Sequence, residues 1–316
     1  MSQTDAPWLE QKRVVIIVNP GSHNTLKRKR RQQLDAWLRA EGWTVEWADT
    51  TAPGEATSIA SRAATGGAPL VLVCGGDGTL NEAINGLAGS ESAVGIIPAG
   101  TVNLWARELG IKRRKPLVAL KQAITGERRR VDLGRAGQRY FLSMASYGID
   151  AAVTAEVSHR LKGIVGAAAY AIASFREALR FRSNEFTLDM DGEQLQVRVL
   201  MVIASNTREY AGITQITPEA IVDDGLLDVR VFEGHGRVNI ALHALRVLFR
   251  LHRRSKKVHF RRVRRLAMRG ETAMPLQVDG DFRPESAAEV VCVPRALWVV
   301  VPRGFTSPMF SPPQDH

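Results

Sequence analysis

The stretch "PLVLVCGGDGTLNEAI", residues 69–84, decides the fold. An uncharged apolar run, "PLVLVC", passes through Gly75, Gly76, Asp77 and Gly78 into the helical pattern "TLNEAINGLAG". In α/β units, the order strand, glycine turn, helix presents an anion to the first turn of a helix. Glycine lets backbone N–H groups approach such a ligand closely. The turn matches neither G-x-x-x-x-G-K-[ST] nor G-x-G-x-x-G. Asp77 is the odd residue, because a carboxylate in an anion cradle repels a polyphosphate unless a cation lies between them. Mg²⁺ takes one or two carboxylates together with phosphate oxygens and water. A Mg²⁺–nucleotide is therefore the ligand this turn suits. Two plainer readings stand beside it. The glycines fit an ordinary tight turn, and Thr79-Leu80-Asn81-Glu82 has the spacing of a capping box with Thr79 as the cap.

Working outward, the layout repeats. "RVVIIVNP" (13–20) reads as a buried strand ended by proline, and "AVGIIPAG" (93–100) as another. "KRKRRQQLDAWLRAEG" reads as a helix stopped by Gly42, "WTVEWADT" as a strand, and "GEATSIASRAATGG" and "NLWARELGI" as helices. Short apolar strands alternating with helices imply a parallel sheet covered on both faces, with ligands beyond the strands' carboxyl ends. The loop "VNPGSHNT" after the first strand and Gly100 and Thr101 in the third loop then join the glycine turn at one end of the sheet.

Near residue 130 the pattern changes. "RRVDLGRAGQRYFLSMASYGI" reads as a strand hairpin and 151–181 as mainly helical. Then come "EFTLDMDGEQLQVRVLMVIAS" with a turn at Asp191-Gly192, "LLDVRVFE", a helix near 237–251, "VHFRRVRRLAM", "MPLQVDGD" and "AEVVCVPRALWVVVP". This predicts a second, mainly antiparallel domain. The expected organisation is a nucleotide domain over 13–133 completed by a returning strand at 295–303, a β-rich domain over 134–294, and loose ends at 1–12 and 304–316.

The 316 residues, 45% of them hydrophobic, suffice for one large or two medium domains. The net charge of +11 is concentrated: residues 246–269 contain no Asp or Glu. Such a block attracts polyanions or forms a solvated basic face. Interleaved Val247, Leu248, Phe249 and Leu251 favour an anionic membrane surface, and no nucleic-acid-binding motif is present. The uncharged run 163–175, rich in small apolar residues, is shorter than the roughly 18 residues of a spanning helix and reads as a buried helix. The N-terminus lacks the apolar core of a secretory signal. Cys74 and Cys292 lie in apolar runs and read as buried thiols in a reducing compartment. The expected location is cytoplasmic and peripheral to the membrane.

The motifs "VNPGS", "GGDGTLNE", "GIIPAGTVNLWARELG", "VDLGRA", "SYGIDAAV", "SNTREYAGITQITPEAIVDDGLLDV" and "PLQVDGD" together resemble the diacylglycerol kinase catalytic-domain family, related to sphingosine kinases, collinearly over about 13–303. The resemblance implies a Rossmann-like nucleotide domain of the NAD kinase and diacylglycerol kinase type with a second, mainly antiparallel β domain. It places the active site in the cleft between them, and implies ATP- and Mg²⁺-dependent phosphorylation of a lipid hydroxyl, diacylglycerol-like or sphingoid-like. By the same resemblance Asn19, Gly75, Gly76, Gly78, Thr79, Glu82, Gly100 and Thr101 are nucleotide-site positions. Asp77 handles the metal, Asp279 is the general base, Asp132 and Asp281 support metal and base, and Asp224 holds a separate structural metal. Asp150 lies near a substrate-facing region. Phosphoryl transfer needs charge neutralisation and a group to take the hydroxyl proton, which these carboxylates supply.

Departures from the family pattern are His23 in the first loop, Leu104 after Asn103, and Asp281 where glutamate is common. Taken alone, Asp279-Gly280-Asp281 also reads as a hairpin turn, Asp132 as a solvated carboxylate beside Arg128–Arg130, and "VDDGLLD" as a turn into a strand. The alternatives kept open are a soluble NAD kinase-like phosphotransferase and a catalytically silent lipid-binding protein. A homodimer is also left open.

Overall fold

The computed structural model describes residues 11–112, 115–160, 181–210, 212, 214–283 and 288–312. The expected helix over 163–175, most of the N-terminal arm and residues 313–316 lie outside these. The chain forms two compact units, one of residues 1–133 with 294–316 and the other of 134–293.

The first unit opens with β1 (Arg13–Val18), α1 (Arg28–Ala40), β2 (Thr44–Asp49), α2 (Glu55–Thr65), β3 (Leu70–Gly75), α3 (Asp77–Leu87) and β4 (Ala93–Pro98). Next come the short α4 (Leu104–Glu108), α5 (Pro116–Ile124) and β5 (Glu127–Ala136), within which the chain passes to the second unit. β1, β3 and β4 are almost wholly buried, as unbroken apolar runs require when a sheet is covered on both faces. β2, at the edge, alternates between exposed and half-buried residues. Pairing among β1 to β4 is parallel: Val14 faces Leu70, Leu70 faces Ala93, and Arg13 faces Thr44. The order is β4-β3-β1-β2. From β1 the chain winds one way to β2, and from β3 the other way to β4. The reversal between β1 and β3 is the point where open α/β sheets hold their ligands.

α2 and α3 approach so closely that a Cβ on Gly86 would lie 2.3 Å from the Thr57 carbonyl oxygen. α5 was not anticipated; its signal was Pro116 in the first turn, where the missing N–H costs nothing.

The second unit contains β6 (Arg139–Phe141), β7 (Met144–Gly148), α6 (Ile149–Arg160), β8 (Asn184–Met190), β9 (Glu193–Ser205), β10 (Glu209–Tyr210), β11 (Thr214–Gln215) and β12 (Leu227–Glu233). After these come α7 (Gly236–Leu248), β13 (Val258–Val263), β14 (Arg265–Gly270), β15 (Leu276–Val278), β16 (Asp281–Arg283) and β17 (Glu289–Val301). β7, β9, β8, β14, β15 and β16 pair antiparallel, and β12 pairs antiparallel with β9 and β13. Phe141, Tyr147, Leu188, Val199, Val229 and Leu266 fill its main core. The late half of β17 belongs to the first unit, where Trp298 and Val299 lie parallel to Ala93 and Val94 of β4.

Two expectations fail. "VHFRRVRRLAM" is not one strand but two, because Asp191 accepts hydrogen bonds from the N–H groups of both Arg264 (2.8 Å) and Arg265 (2.8 Å) and interrupts the ladder. The C-terminal segment from 304 is not loose through 312. Met309 and Phe310 are buried, Phe310 edge-on to Phe305 and beneath the Arg129 guanidinium at 4.9 Å.

Cys74 is fully buried in β3, and burial pushes its thiol up to about 12. At pH 8 its thiolate fraction is about one in ten thousand, so iodoacetamide should leave Cys74 unmodified in the folded protein and label it in urea. Native labelling measured by peptide mass would contradict the β3 assignment.

Candidate functional site

The three loops at the carboxyl ends of β1, β3 and β4 are tied to one another. Asn19 Nδ2 donates to Thr79 Oγ1 (3.0 Å), while Asn19 Oδ1 accepts from the Gly21 N–H (2.9 Å). The Asn24 N–H reaches the Ala99 carbonyl (2.8 Å), and the Ala99 N–H reaches the Gly75 carbonyl (2.9 Å). A Cβ on Gly100 would lie 2.5 Å from Gly76 Cα, and one on Gly75 would lie 2.7 Å from Thr79 Cβ. Glycine at these positions is a packing requirement.

Asp77 adds a further tie between the second and third loops. It begins α3, and its carboxylate accepts the N–H groups of Asn103 (2.9 Å) and Leu104 (2.6 Å). Burial pushes its carboxyl up, opposed by those N–H groups, Leu104 before Asn103. Leu104, a departure at the side-chain level, thus contributes through its backbone. With both oxygens engaged by amides, Asp77 fits contact with a cation through water better than direct ligation.

The helix starts at Asp77 rather than at the expected cap. Thr79 lies inside the helix and receives Asn19, and the Glu82 carboxylate accepts from the Ala56 N–H at the start of α2 (3.3 Å), so the capping-box reading fails. Glu82 anchors α2 to α3.

Gly78 differs from its neighbours: a Cβ there would meet nothing within 4 Å, and its backbone is not left-handed. Protein packing gives no reason for glycine at this position. Thr101 is exposed in the third loop, and His23 is exposed in the first.

Asn103 was missed by the sequence reading. It is buried in the left-handed region at φ 55°, and its side-chain amide closes the third loop by accepting from the Gly100 N–H (3.0 Å) and donating to the Gly100 carbonyl (2.8 Å). The signal was an asparagine ahead of a helix, a residue type that tolerates this conformation.

Asp132 is not solvated. It is fully buried and accepts the Arg295 N–H (2.7 Å) where β17 turns through φ 51°, while Arg128 and Arg130 pair with Glu91 instead.

In the second unit Asp279 sits at φ 47° and its carboxylate accepts three backbone N–H groups: Leu142 (2.9 Å), Ser143 (3.0 Å) and Met144 (2.8 Å). That grip fixes the carboxylate in one orientation. Asp281 is half-exposed, 3.5 Å from Arg283. Beside this turn Gln277 accepts the Gly280 N–H (2.6 Å) and donates to Asp150 (2.9 Å) and Ser146 (2.9 Å). Asp150 also accepts from Ser146 Oγ and from Tyr210 OH (2.5 Å). Ser146, Tyr210 and Gln277 were not singled out from sequence.

Asp150 and Tyr210 border a cavity of about 420 Å³ whose other walls are mostly apolar, among them Val153, Met201, Phe232 and Val247. Elsewhere, Asp224 accepts the Leu226 N–H (3.0 Å) and pairs with Arg262. Nearby Asp228, in β12, is buried with neither carboxylate oxygen hydrogen-bonded, and the same Arg262 guanidinium lies 3.8 Å from it. Among the described residues no three His, Cys, Asp or Glu side chains form a ready metal cluster.

Comparison with known proteins agrees with this arrangement. The diacylglycerol kinase catalytic domain matches residues 13–136, and the YegS C-terminal NAD kinase beta sandwich-like domain matches 143–301. A diacylglycerol kinase of Bacillus subtilis is 29% identical over 92% of this chain and 97% of its own length. One of Staphylococcus saprophyticus is 31% identical over 86% and 90%. A crystal structure of a diacylglycerol kinase from Bacillus anthracis superposes with a TM-score of 0.68, at 19% identity over 92% of this chain and 97% of that one, a likeness of fold. The chain belongs to the diacylglycerol kinase catalytic-domain family.

Replacing Asn103 with alanine removes both loop-closing bonds and puts a side chain without local hydrogen bonding at φ 55°. The expected loss is about 2–4 kcal/mol of stability, read from urea denaturation. A loss below about 0.5 kcal/mol would show that the third loop holds itself.

Proposed function

We propose that the protein is an ATP- and Mg²⁺-dependent lipid kinase that transfers the γ-phosphoryl group to the hydroxyl of a diacylglycerol-like or sphingoid-like lipid. The observation that carries this reading is the cavity in the second unit. Its walls suit hydrocarbon, and its polar corner, Asp150, is hydrogen-bonded through Gln277 to the turn that bears Asp279. A lipid with its chain in the cavity would present a hydroxyl toward that turn. A nucleoside would find few partners on such walls, which disfavours the NAD kinase-like alternative.

In this reading Asp279, held by three amides, takes the hydroxyl proton as the oxygen attacks phosphorus. The loops around Gly76, Gly78, Gly100 and Thr101 supply N–H and hydroxyl donors to the phosphates, with Asn19 and Thr79 fixing the first loop against the second. Gly78 leaves open the space a nucleotide would approach. Mg²⁺, when bound, offsets the charge of the β- and γ-phosphates, and Asp77 would hold it through water. Asp132 acts by positioning β17, and Asp281 contributes charge beside the base. A structural cation at the Asp224 turn would draw on Asp224 and Asp228.

Labelled ATP, Mg²⁺ and a panel of lipids in mixed micelles test the proposal. The expected product is a phosphorylated lipid, with kcat reduced about 10²–10⁴-fold in Asp279→Asn and activity nearly abolished in Asp77→Ala. Full activity in both variants would remove the site assignment, and transfer to NAD but to no lipid would favour the alternative.

Gly78→Ala separates folding from binding. Alanine in the open first turn of α3 should raise stability by about 0.5 kcal/mol while weakening ATP binding in titration calorimetry. Unchanged ATP affinity would place the phosphates elsewhere.

A further inference from the structure

We propose that α7 docks the protein on an anionic lipid bilayer, and that its two apolar faces join that bilayer to the cavity. The inference rests on the lipid-kinase reading and adds the surface from which the substrate enters. α7 is apolar on two sides. Ile240, His243, Ala244, Val247 and Leu248 line the cavity. Val238, Leu242, Leu245 and Phe249, spaced four, three and four residues apart, form a second ridge that faces solvent, with Val238 72% and Phe249 66% exposed. Leu248 belongs to both sets: it borders the cavity and is 61% exposed.

Six of the nine large apolar side chains exposed among the described residues fall between Val238 and Leu251, too concentrated for scattered surface leucines. The charge around the ridge selects the occupant. Residues 234–270 contain no Asp or Glu. The later arginines of this segment serve the sheet, where Arg261 pairs with Glu193, Arg262 with Asp224 and Arg265 with Glu289. The basic segment expected from sequence to face a membrane over 246–269 is therefore divided, and its first half, with Arg246, Arg250, Arg254 and Lys256, adjoins the ridge in sequence. An apolar ridge edged with cations fits the headgroup boundary of an anionic leaflet. No described helix is long and apolar enough to cross a membrane, so contact through this helix would be at the interface.

The test is sedimentation with phosphatidylcholine vesicles, with and without phosphatidylglycerol, using the full chain and the double variant Leu245→Glu, Phe249→Glu. Neither residue lines the cavity. Vesicle binding should fall about tenfold or more, while phosphorylation of a short-chain diacylglycerol dissolved as monomer stays within about twofold. Arg254→Glu with Lys256→Glu should weaken binding only to the phosphatidylglycerol vesicles, and does so without touching an apolar side chain. Wild-type vesicle binding by the Leu245, Phe249 variant overturns the proposal. So does a change of oligomeric mass with vesicle binding intact, which would make the ridge a contact between copies. If the variant loses vesicle binding but the wild type phosphorylates no lipid, the docking surface stands and the kinase reading falls.

Discussion

One carboxylate holds together the loops at the carboxyl ends of the first unit's strands. Asp77 begins α3 and grips the N–H groups of Asn103 and Leu104, so the turn after β3 and the loop after β4 become one surface. A buried carboxylate among glycine-rich loops first looks misplaced. Its two amide partners offset part of the cost of burying it, and its location in the first turn of a helix is the place where negative charge is best tolerated. The same oxygens that organise the loops leave a negative potential that a hydrated cation can use. The joining of the loops and the cation role proposed for Asp77 draw on one geometry.

Asp279 repeats the device in the second unit. There a left-handed turn aims a carboxylate at three successive amides, and Gln277 ties that turn to Asp150 at the edge of an apolar cavity. In both places backbone amides hold the acidic group. Orientation of this kind costs no reorganisation during a reaction, which is the property demanded of groups that stabilise or accept charge.

The parallel strands were legible in the sequence because unbroken apolar runs such as "VVIIV" and "LVLVC" are local signals, and the glycine turns that follow them are local too. The family motifs singled out Asp77 and Asp279, the two carboxylates that the fold holds with backbone amides. What escaped was set by distant partners. The helix was expected to begin at Thr79, but the acceptor that starts it serves residues 103 and 104. Glu82 was expected to reach back within its own turn, but it reaches α2. The break between β13 and β14 is imposed by Asp191, seventy-odd residues earlier in the chain. Gln277 looked like one polar residue in a strand, and only the fold joins it to Ser146 and Asp150. The burial of Phe310 depends on Phe305 and Arg129, which a proline-rich composition does not announce.

Hydrogen–deuterium exchange of the whole chain, alone and with Mg²⁺ and a non-hydrolysable ATP analogue, tests the central claim most directly. The account predicts slowed exchange confined to residues 19–25, 75–82 and 99–104, the three loops that Asp77 and Asn19 bind together. Nucleotide binding that left those amides exchanging at their free rate, with protection appearing in other segments, would contradict it.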